Sequence, residues 1–309
     1  MLVIVAPGQG AQSPGFLSAW LEIPGVKDRL SAWSEVAQLD LVSYGTTADA
    51  DEIRDTSVAQ PLLVAAGLAA AEALLGPDVP SPPDRAGVVA GHSVGEFTAA
   101  VLAGVLTPEQ ALALVRERGQ AMAKAASVTR TGMTALLGGD EAEVLAAIER
   151  HGLTPANING AGQIVAAGTI EQLDALAADP PARARPLSVA GAFHTHHMAP
   201  AVEHLRAEAA AITPGDPRVT LLSNSDGAAV TSGAEFVGRL VDQVGRPVRW
   251  DRCMATMQDL GVTAMIELLP GGTLTGLAKR ALRGIETVAL KTPDDLEAAR
   301  ALISKETAQ

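Results

Sequence analysis

A chain of 309 residues is long enough for one large domain or two, and 48% hydrophobic with 19% charged residues argues against a disordered protein. Its 35 acidic residues outnumber 23 basic ones and give a net charge of −12, which argues against a general binder of nucleic acid or anionic membranes. The single cysteine, Cys253, excludes an intrachain disulfide and gives no sign of a thiolate-bound metal.

The start of the chain predicts neither export nor membrane insertion. Residues 1–6 have no basic start and reach Pro7-Gly8 too soon for a signal peptide. No uninterrupted apolar stretch approaches the length of a membrane span, and the alanine-rich window 62–75 is typical of a buried helix. We therefore expect a cytoplasmic protein that binds neither nucleic acid nor membrane.

Residues 2–6 predict a central strand that is apolar on both faces, as a parallel sheet requires. A glycine-flanked turn follows over residues 7–12, and it lacks the spacing of a phosphate-binding loop. Two interpretations stay open: an ordinary strand-to-helix turn, or a loop in which Gln9 lends its backbone N–H to an oxyanion.

Residues 17–75 are predicted to be mostly helical, with a helix that begins near Thr56. Loops are expected near residues 24–25 and 44–49. Gln60, beside a proline, is either structural or pocket-lining. The proline-rich segment 76–84 predicts a surface loop.

The sequence Gly91-His92-Ser93-Val94-Gly95 has the pattern of a nucleophile elbow. The apolar run 86–90 before it predicts a buried strand, and residues 96–103 after it predict a helix. Glycines two residues on either side of Ser93 let the backbone bend sharply and pass close to its neighbours. The turn holds the serine where the first N–H groups of the helix can face an oxyanion. We therefore interpret Ser93 as a nucleophile rather than an ordinary turn residue.

Thr107-Pro108 predicts the start of a helix that reaches about Ala126. Within this helix Arg118 lies on a mostly apolar row with Leu114 and Met122. A buried arginine is costly unless a carboxylate meets it. Three roles stay open for Arg118: an ion pair with an acid of the protein, a head group that snorkels to solvent, or, if it faces the serine, a bidentate site for a substrate carboxylate.

Residues 131–189 are predicted to form a unit of their own. Its strands are expected at 133–137, 156–159, 163–167 and 185–189, and its helices at 141–150 and 170–178. The order βαββαβ is that of the ferredoxin-like split motif, and such an insert can wall one side of a cleft. Asn157 is expected to be structural, whereas Asn159 stays open between a turn residue and a pocket group.

Three of the six histidines lie within residues 191–198. His194 follows a strand exit and a glycine, a position that suits a general base. His196 and His197 precede or begin a helix predicted over 197–211 and are better explained as capping or surface residues. No Asp, Glu or Cys at ligand spacing supports a metal site in this stretch.

The rest of the chain alternates strands and helices. Strands are expected at 219–222, 263–268 and 287–290, and helices at 235–244, 249–260, 273–281 and from Pro293. Alternation of this kind predicts a parallel sheet with helices on both faces. The predicted fold is therefore α/β: a large α/β-hydrolase-like domain, residues 1–128 and 191–309, interrupted by a ferredoxin-like βαββαβ subdomain over residues 129–190.

Assembled in order, these motifs closely resemble the malonyl-CoA:acyl-carrier-protein transacylases of bacterial fatty-acid and polyketide synthesis, and the acyltransferase domains of modular synthases. The resemblance covers essentially the full length. Its motifs are Pro7-Gly8-Gln9-Gly10-Ala11-Gln12, Gly91-His92-Ser93-Val94-Gly95-Glu96, Arg118 with Gly119 and Met122, residues 159–168, Gly191-Ala192-Phe193-His194, and Gln243 with Pro247, Val248 and Trp250.

The resemblance implies an acyltransferase that moves malonyl from malonyl-CoA to the phosphopantetheine thiol of an acyl carrier protein, with no metal and no permanently bound cofactor. By position, Ser93 is implied as the nucleophile and His194 as its base. Gln9 and Val94 are implied to supply the oxyanion N–H groups. In the family a backbone carbonyl at the position of Gln243 steadies the base.

The substrate site is implied by further matches to the family pattern. Arg118 is the position that holds the malonyl carboxylate, and Met122, Asn159 and His92 complete the expected substrate-binding set. Phe193 belongs to the Ala-Phe-His form of malonyl-selective relatives, where a bulky ring leaves less room for an α-methyl group.

In α/β-hydrolases the catalytic triad follows the chain order Ser…acid…His. Three aspartates lie between Ser93 and His194 and would fit this order: Asp140, Asp174 and Asp179. They fall in or near the small unit, so we do not expect any of them to hold the base. Two rival functions are a serine hydrolase with water as acceptor and a non-catalytic scaffold for a carrier protein. Arg118 argues against the first, and retention of the catalytic residue types argues against the second.

Carrier proteins are acidic, and this chain is acidic too, so docking of a carrier requires a local patch of positive charge on this chain. We expect this charge at Lys279, Arg280 and Arg283, and at Arg183 and Arg185 on the small unit. Ordinary solvated charge is an equally good explanation for each of these residues.

Overall fold

The computed structural model describes residues 1–76, 87–189 and 191–307. Within them the chain forms two β-sheets, of six and five strands, with helices packed around them. The surface loop predicted over residues 76–84 lies outside the described residues except for Gly76.

The strands are β1 (Leu2–Ala6), β2 (Val88–Gly91), β3 (Thr131–Leu137), β4 (Thr154–Gly160), β5 (Gln163–Thr169), β6 (Arg183–Pro186), β7 (Thr220–Leu222), β8 (Ala229–Val230), β9 (Val248–Arg249), β10 (Ala264–Glu267) and β11 (Glu286–Ala289). The helices are α1 (Val26–Ala37), α2 (Leu41–Thr46), α3 (Thr56–Leu75), α4 (Gly95–Leu102), α5 (Pro108–Ala126), α6 (Glu141–Arg150), α7 (Ile170–Ala178), α8 (Ala199–Ala209), α9 (Gly233–Gln243), α10 (Trp250–Asp259), α11 (Thr273–Ala281) and α12 (Asp295–Thr307).

The larger sheet has the order β11-β10-β1-β2-β7-β8, and its strands are parallel except for the edge pair β7–β8. Every residue of β1 is buried, as predicted for a strand covered on both faces. Ala6 pairs with Gly91, so β1 and β2 end side by side. The carboxyl edge of a parallel sheet is where ligands bind in open α/β folds. The turns that carry Gln9 and Ser93 therefore leave the sheet at the same place.

The smaller sheet has the order β6-β3-β5-β4-β9. Its first four strands are antiparallel and come from the predicted βαββαβ unit, whereas β9 joins β4 in parallel from beyond that unit. The predicted strand 185–189 is corrected to Arg183–Pro186, because the regular ladder with β3 runs over these four residues. The register between β4 and β5 shifts twice, around Asn157 and after Ile158. Such irregularities change the direction of neighbouring side chains.

Helix α3 is the centre of the helical layer. Asp55 caps it by accepting from the N–H of Ser57, which places its start where the sequence predicts it. Among the described residues it is the only helix long and apolar enough to cross a membrane, yet 89% of its apolar window is buried inside the protein. It packs against α1, α4 and α5. We assign α3 as the core helix expected from the alanine-rich window.

Two segments differ from the prediction. The loop expected at 44–49 is wrong in its first half, because α2 continues to Thr46 with Asp40 as its cap. Gly45 is there for packing rather than for a turn, since a Cβ at this position would lie 2.2 Å from Cδ1 of Leu17. The helix expected over 197–211 is α8, Ala199–Ala209, preceded by a 3-10 turn over His196–Met198.

The elbow glycines are required by close backbone approach. A Cβ on Gly91 would lie 2.0 Å from the carbonyl carbon of Gly95, and a Cβ on Gly95 would lie 2.2 Å from the carbonyl oxygen of Ala6. Neither contact can be relieved by a side-chain rotation, because both partners are backbone atoms. The turn thus fits against β1 only with glycine at both positions.

We predict that Gly95→Ala lowers the free energy of unfolding by about 3 kcal/mol or more, since the new methyl group overlaps the backbone of β1. Urea unfolding followed by circular dichroism measures this. Gly238→Ala is the matched control: Gly238 is an exposed residue within α9, and its added Cβ meets nothing within 4 Å. The control should gain about 0.5–1 kcal/mol, and equal stability of the two variants would contradict the close-approach argument.

Candidate active site

A cavity of about 240 Å³ lies where the carboxyl edge of the larger sheet meets the smaller sheet. The turns after β1 and β2 form one wall, and strands β3, β4 and β5 form another. Its polar lining residues are Gln9, Gln60, His92, Ser93, Arg118, Asn157, Asn159, Gln163, His194 and Thr273. The cavity therefore brings together residues that are far apart in the sequence.

Ser93 occupies the apex of the elbow with a φ of 54°. A non-glycine residue in this left-handed region is strained, and such strain persists only where the surroundings fix the backbone. The side-chain oxygen of Asn224 accepts the Ser93 N–H at 2.8 Å, and Asn224 also donates to the carbonyl of Gly91 at 2.7 Å. Ser93 Oγ lies 2.8 Å from Nε2 of His194. The serine is thus held within hydrogen-bond reach of a base.

His194 is 3% exposed and also has a positive φ, 62°. Its Nδ1 lies 2.7 Å from the backbone carbonyl oxygen of Gln243. A carbonyl can only accept, so Nδ1 carries the proton and Nε2 is free to accept from Ser93 Oγ–H. Burial, with a further contribution from the Arg118 charge, lowers the pKa of His194 to about 3. The imidazole is therefore neutral, the form that can take up a proton.

The three aspartates that precede His194 in the chain lie elsewhere. Asp140 accepts from the N–H groups of Ala142 and Glu143 and caps α6. Asp174 and Asp179 are exposed residues of the small unit. The contact of His194 Nδ1 is with a peptide oxygen instead of any of these carboxylates.

Arg118 is 1% exposed and points into the same cavity. Its Nη1 donates to Oε1 of Gln60 at 2.5 Å, and its Nη2 donates to Oε1 of Gln243 at 2.8 Å and approaches Ser93 Oγ at 3.4 Å. Its Nε is buried without a hydrogen-bond partner. Burial lowers the pKa of Arg118 to about 10, so the group stays charged at neutral pH.

These contacts decide among the roles left open for Arg118. Within the described chain it forms no ion pair, and burial rules out a head group that reaches solvent. A buried guanidinium held only by neutral oxygens, with an unused N–H, has the charge and the free donor that an anion requires.

Gln9 and Val94 place two backbone N–H groups beside the serine. Both residues line the cavity, and Val94 is the cap of α4. In the described residues neither N–H has an acceptor. The Gln9 side chain turns the other way and donates to Arg54 O and Thr56 Oγ1, each at 3.3 Å. The two free N–H groups match the requirement for an oxyanion site.

The remaining predicted substrate residues also line the cavity. His92 Nε2 lies 2.8 Å from Oδ1 of Asn159, so Asn159 is a pocket group rather than a turn residue. Burial lowers the pKa of His92. Phe193 and Met122 form apolar parts of the wall, and both are at least 90% buried.

Three polar residues of the site have no predicted role in the sequence pattern: Glu96, Asn224 and Gln163. Glu96 and Asn224 lie directly behind the elbow, and Gln163 accepts from Asn159 at 3.4 Å. Asn224 follows β7, the strand next to β2, so its place at the carboxyl edge was the one signal available. Gln60, which the sequence left open, is a pocket residue in contact with Arg118.

The predicted basic residues flank this cavity on two sides. Helix α11 begins with Thr273, Leu274 and Leu277 in the cavity wall and ends with Lys279 and Arg280 at the surface. Strand β6 carries Arg183 and Arg185, and the chain after it places Leu187 and Val189 in the wall. All of these basic residues and Arg283 are exposed.

Glu117, His204 and Glu208 are the one group in the described chain with donor atoms close enough to hold a metal ion. His204 Nε2 lies 2.8 Å from Oε2 of Glu117, and Arg116 donates to the other oxygen of Glu117. These contacts already account for the Glu117 carboxylate, so the group is explained as a surface ion-pair cluster.

The chain matches known proteins over nearly its whole length. The family model described as "Acyl transferase domain" matches residues 3–300. A protein of Mycobacterium tuberculosis named malonyl CoA-acyl carrier protein transacylase is 53% identical over 299 residues, which cover 96% of this chain and 98% of the relative. A protein of the same name from Bacillus subtilis is 34% identical and covers 99% of this chain and 98% of the relative.

Solved structures agree with this match. The crystal structure of MCAT from Mycobacterium tuberculosis superposes with a TM-score of 0.90 at 52% identity, covering 97% of this chain and 99% of that one. A malonyl-transacylase solved in complex with a type II PKS acyl-carrier protein superposes with a TM-score of 0.90 at 30% identity, covering 97% and 99%. The chain therefore belongs to the acyl transferase family and is an acyltransferase.

We predict a pH dependence of stability from His194. Because its pKa in the folded protein lies below the ordinary 6.5, the folded state binds fewer protons than the unfolded state between about pH 3 and 6.5. Acid therefore favours unfolding. Relative to His194→Gln, the wild type should lose about 2 kcal/mol between pH 7 and pH 5 in urea unfolding experiments. Parallel pH curves for the two proteins would contradict a depressed pKa.

Proposed function

We propose that this acyltransferase transfers a malonyl group from malonyl-CoA to the phosphopantetheine thiol of an acyl carrier protein, in fatty-acid synthesis, polyketide synthesis or both. The observation that carries the proposal is the buried, unpaired Arg118 in the cavity that holds the Ser93–His194 pair. A neutral acyl group gives that charge no partner, whereas malonyl brings a carboxylate. Relatives at 53% and 34% identity carry the name of this activity.

In the first half-reaction His194 Nε2 takes the proton of Ser93 Oγ, which attacks the thioester carbonyl of malonyl-CoA. The Gln9 and Val94 N–H groups stabilise the negative charge that develops on the carbonyl oxygen. The tetrahedral intermediate collapses, the C–S bond breaks, and His194 returns its proton to the leaving CoA thiolate. Malonyl is left as an ester on Ser93. The Gln243 carbonyl keeps the His194 ring in the required tautomer throughout.

The second half-reaction runs the same steps with a new thiol. The carrier's phosphopantetheine thiol enters the cavity, His194 removes its proton, and the thiolate attacks the ester carbonyl. The C–O bond to Ser93 breaks, and His194 returns the proton to Ser93 Oγ. No metal or bound cofactor enters either step. The sequence of two acyl transfers gives ping-pong kinetics.

Acyl selectivity is proposed to come from two kinds of group in the cavity wall, one charged and one apolar. Arg118 binds the malonyl carboxylate through parallel hydrogen bonds, one of them from the Nε–H that lacks a partner in the free protein. The Phe193 ring limits the room for an α-methyl group, and Met122, Asn159 and His92 complete the wall.

We further propose a division of the chain into two subdomains. Residues 1–128 and 191–309 form a hydrolase-like α/β part, and residues 129–190 form a ferredoxin-like part. The strand order β6-β3-β5-β4 supports the second, because it is the fourth, first, third and second strand of the βαββαβ unit. A cytoplasmic location is also proposed, which the burial of the long apolar helix α3 inside the protein supports.

The carrier is proposed to dock on the basic residues that flank the cavity: Lys279, Arg280, Arg283, Arg183 and Arg185. Lys279 and Arg280 lie on α11, whose other end forms part of the cavity wall. Arg183 and Arg185 shortly precede Leu187 and Val189, which also line it, so a carrier bound to either group can reach Ser93 with its prosthetic arm. Positive charge suits an acidic partner and raises the association rate most at low salt.

Arg118→Ala should lower kcat/KM for malonyl-CoA by about 100-fold or more, because a charge-assisted contact to the acyl carboxylate is lost. Transfer from acetyl-CoA should change by less than about tenfold. Steady-state assays with holo carrier measure both. Arg116→Ala is the control, since Arg116 lies on the same helix but contacts Glu117 and Val36 outside the cavity. Equal losses with both acyl groups would remove Arg118 from carboxylate binding.

Charge reversal should separate docking from chemistry. Lys279→Glu with Arg280→Glu, or Arg183→Glu with Arg185→Glu, should raise the apparent KM for the carrier several-fold at low salt and leave malonylation by malonyl-CoA unchanged. Lys27→Glu on α1, which lines no part of the cavity, serves as the control. An unchanged KM for the carrier in both double variants would dismiss the docking surface.

A further inference from the structure

Glu96 is a buried carboxylate that the mechanism above does not use. It lies three residues after Ser93 in the first turn of α4 and is 1% exposed. Burial raises the pKa of Glu96, but its hydrogen bonds and the Arg118 charge oppose this shift. Both of its oxygens face N–H donors, and this arrangement favours the ionised carboxylate. A carboxyl group in this position is costly to keep unless its contacts serve the structure around it.

Both oxygens of Glu96 accept hydrogen bonds. Oε1 accepts the backbone N–H of Asn224 at 2.6 Å, and Oε2 accepts from Nε2 of Gln243 at 2.5 Å. The same Gln243 amide presents its oxygen to Nη2 of Arg118 at 2.8 Å. A continuous chain of two hydrogen bonds thus joins Arg118 through Gln243 to Glu96.

The direction of the Gln243 amide is fixed by the chemistry at its two ends. A guanidinium can only donate, so the amide oxygen must face Arg118. The NH₂ group then faces acceptors alone: the Glu96 carboxylate, the carbonyl oxygen of Ser93 at 3.1 Å and Oδ1 of Asn224 at 3.3 Å. A reversed amide would place donor against donor at Arg118 and oxygen against oxygen at Glu96.

We propose that Glu96 is a positioning residue for acyl selectivity, which acts by orienting the Gln243 amide so that its oxygen holds Arg118 for the acyl carboxylate. The inference rests on the proposed malonyl transfer. Glu96 also accepts the backbone N–H of Asn224, but it does not orient the base, because His194 depends on a different atom. His194 is held by the peptide oxygen of Gln243, which the side-chain amide does not control.

Glu96→Gln tests this because it changes one oxygen to an NH₂ group at nearly constant shape. The new NH₂ group faces either the Gln243 NH₂ group or the Asn224 N–H. In both orientations two hydrogen-bond donors face each other without an acceptor between them. When the Gln243 amide turns to relieve the collision, Arg118 loses one of its two side-chain amide acceptors, and only Gln60 remains.

The expected result is a split between substrates. In Glu96→Gln the KM for malonyl-CoA should rise about 10- to 100-fold, while kcat/KM for acetyl-CoA, which has no carboxylate, stays within about threefold. Equal losses for the two acyl groups, or no loss for either, would overturn the proposal. Wild-type malonyl transfer is measured in the same series, so failure of the proposed function shows separately, as wild-type inactivity with malonyl-CoA.

Two further variants make the result decisive. Glu267→Gln is the matched control: Glu267 is also fully buried and accepts from backbone N–H groups at the start of α11, without contact to Arg118. It should lower stability and leave the malonyl-to-acetyl ratio unchanged. If Glu96→Gln does not fold, Gln243→Met removes the amide and keeps the peptide oxygen. It should show the same selective loss, and an unchanged ratio there would overturn the proposal.

Discussion

Gln243 presents two neutral oxygens to the cavity, and the chemistry of the site depends on both. Its peptide oxygen accepts from His194 at 2.7 Å, and its side-chain oxygen accepts from Arg118 at 2.8 Å. A carboxylate in the place of the side-chain oxygen would form an ion pair with the buried guanidinium and occupy it. The uncharged amide therefore leaves the positive charge of Arg118 available for an anionic substrate.

Much of the fold follows from local sequence signals. The bounds of α6, α7 and α11 match the prediction, since Asp140 and Thr169 cap the first two and glycines precede the third. The strands β8 and β9 were missed because two residues show no periodicity. The predicted start of the 44–49 loop was wrong because of Gly45. The sequence alone cannot distinguish a glycine required for close packing, here against Leu17, from a glycine required for a turn.

The candidate site also contains some residues that the sequence predicts and others that it does not. The elbow is a contiguous motif whose glycines, strand and helix all point to Ser93, and the apolar row of α5 indicates a buried Arg118. The positions of Gln60, Glu96 and Asn224 behind these residues come only from tertiary packing. Each has a residue type common on protein surfaces, and only burial makes its hydrogen bonds matter. Apart from the position of Asn224 after β7, the sequence pattern carries no signal for the roles of these residues.

Intact-mass spectrometry of the protein with malonyl-CoA, before and after addition of holo acyl carrier protein, tests the central claim most directly. The account predicts one malonyl increment on the wild type, none on Ser93→Ala, and transfer of that increment to the carrier. An increment that decays to free malonate while the carrier stays unmodified would mean a hydrolase. The absence of any increment on the wild type would contradict the malonyl-serine mechanism.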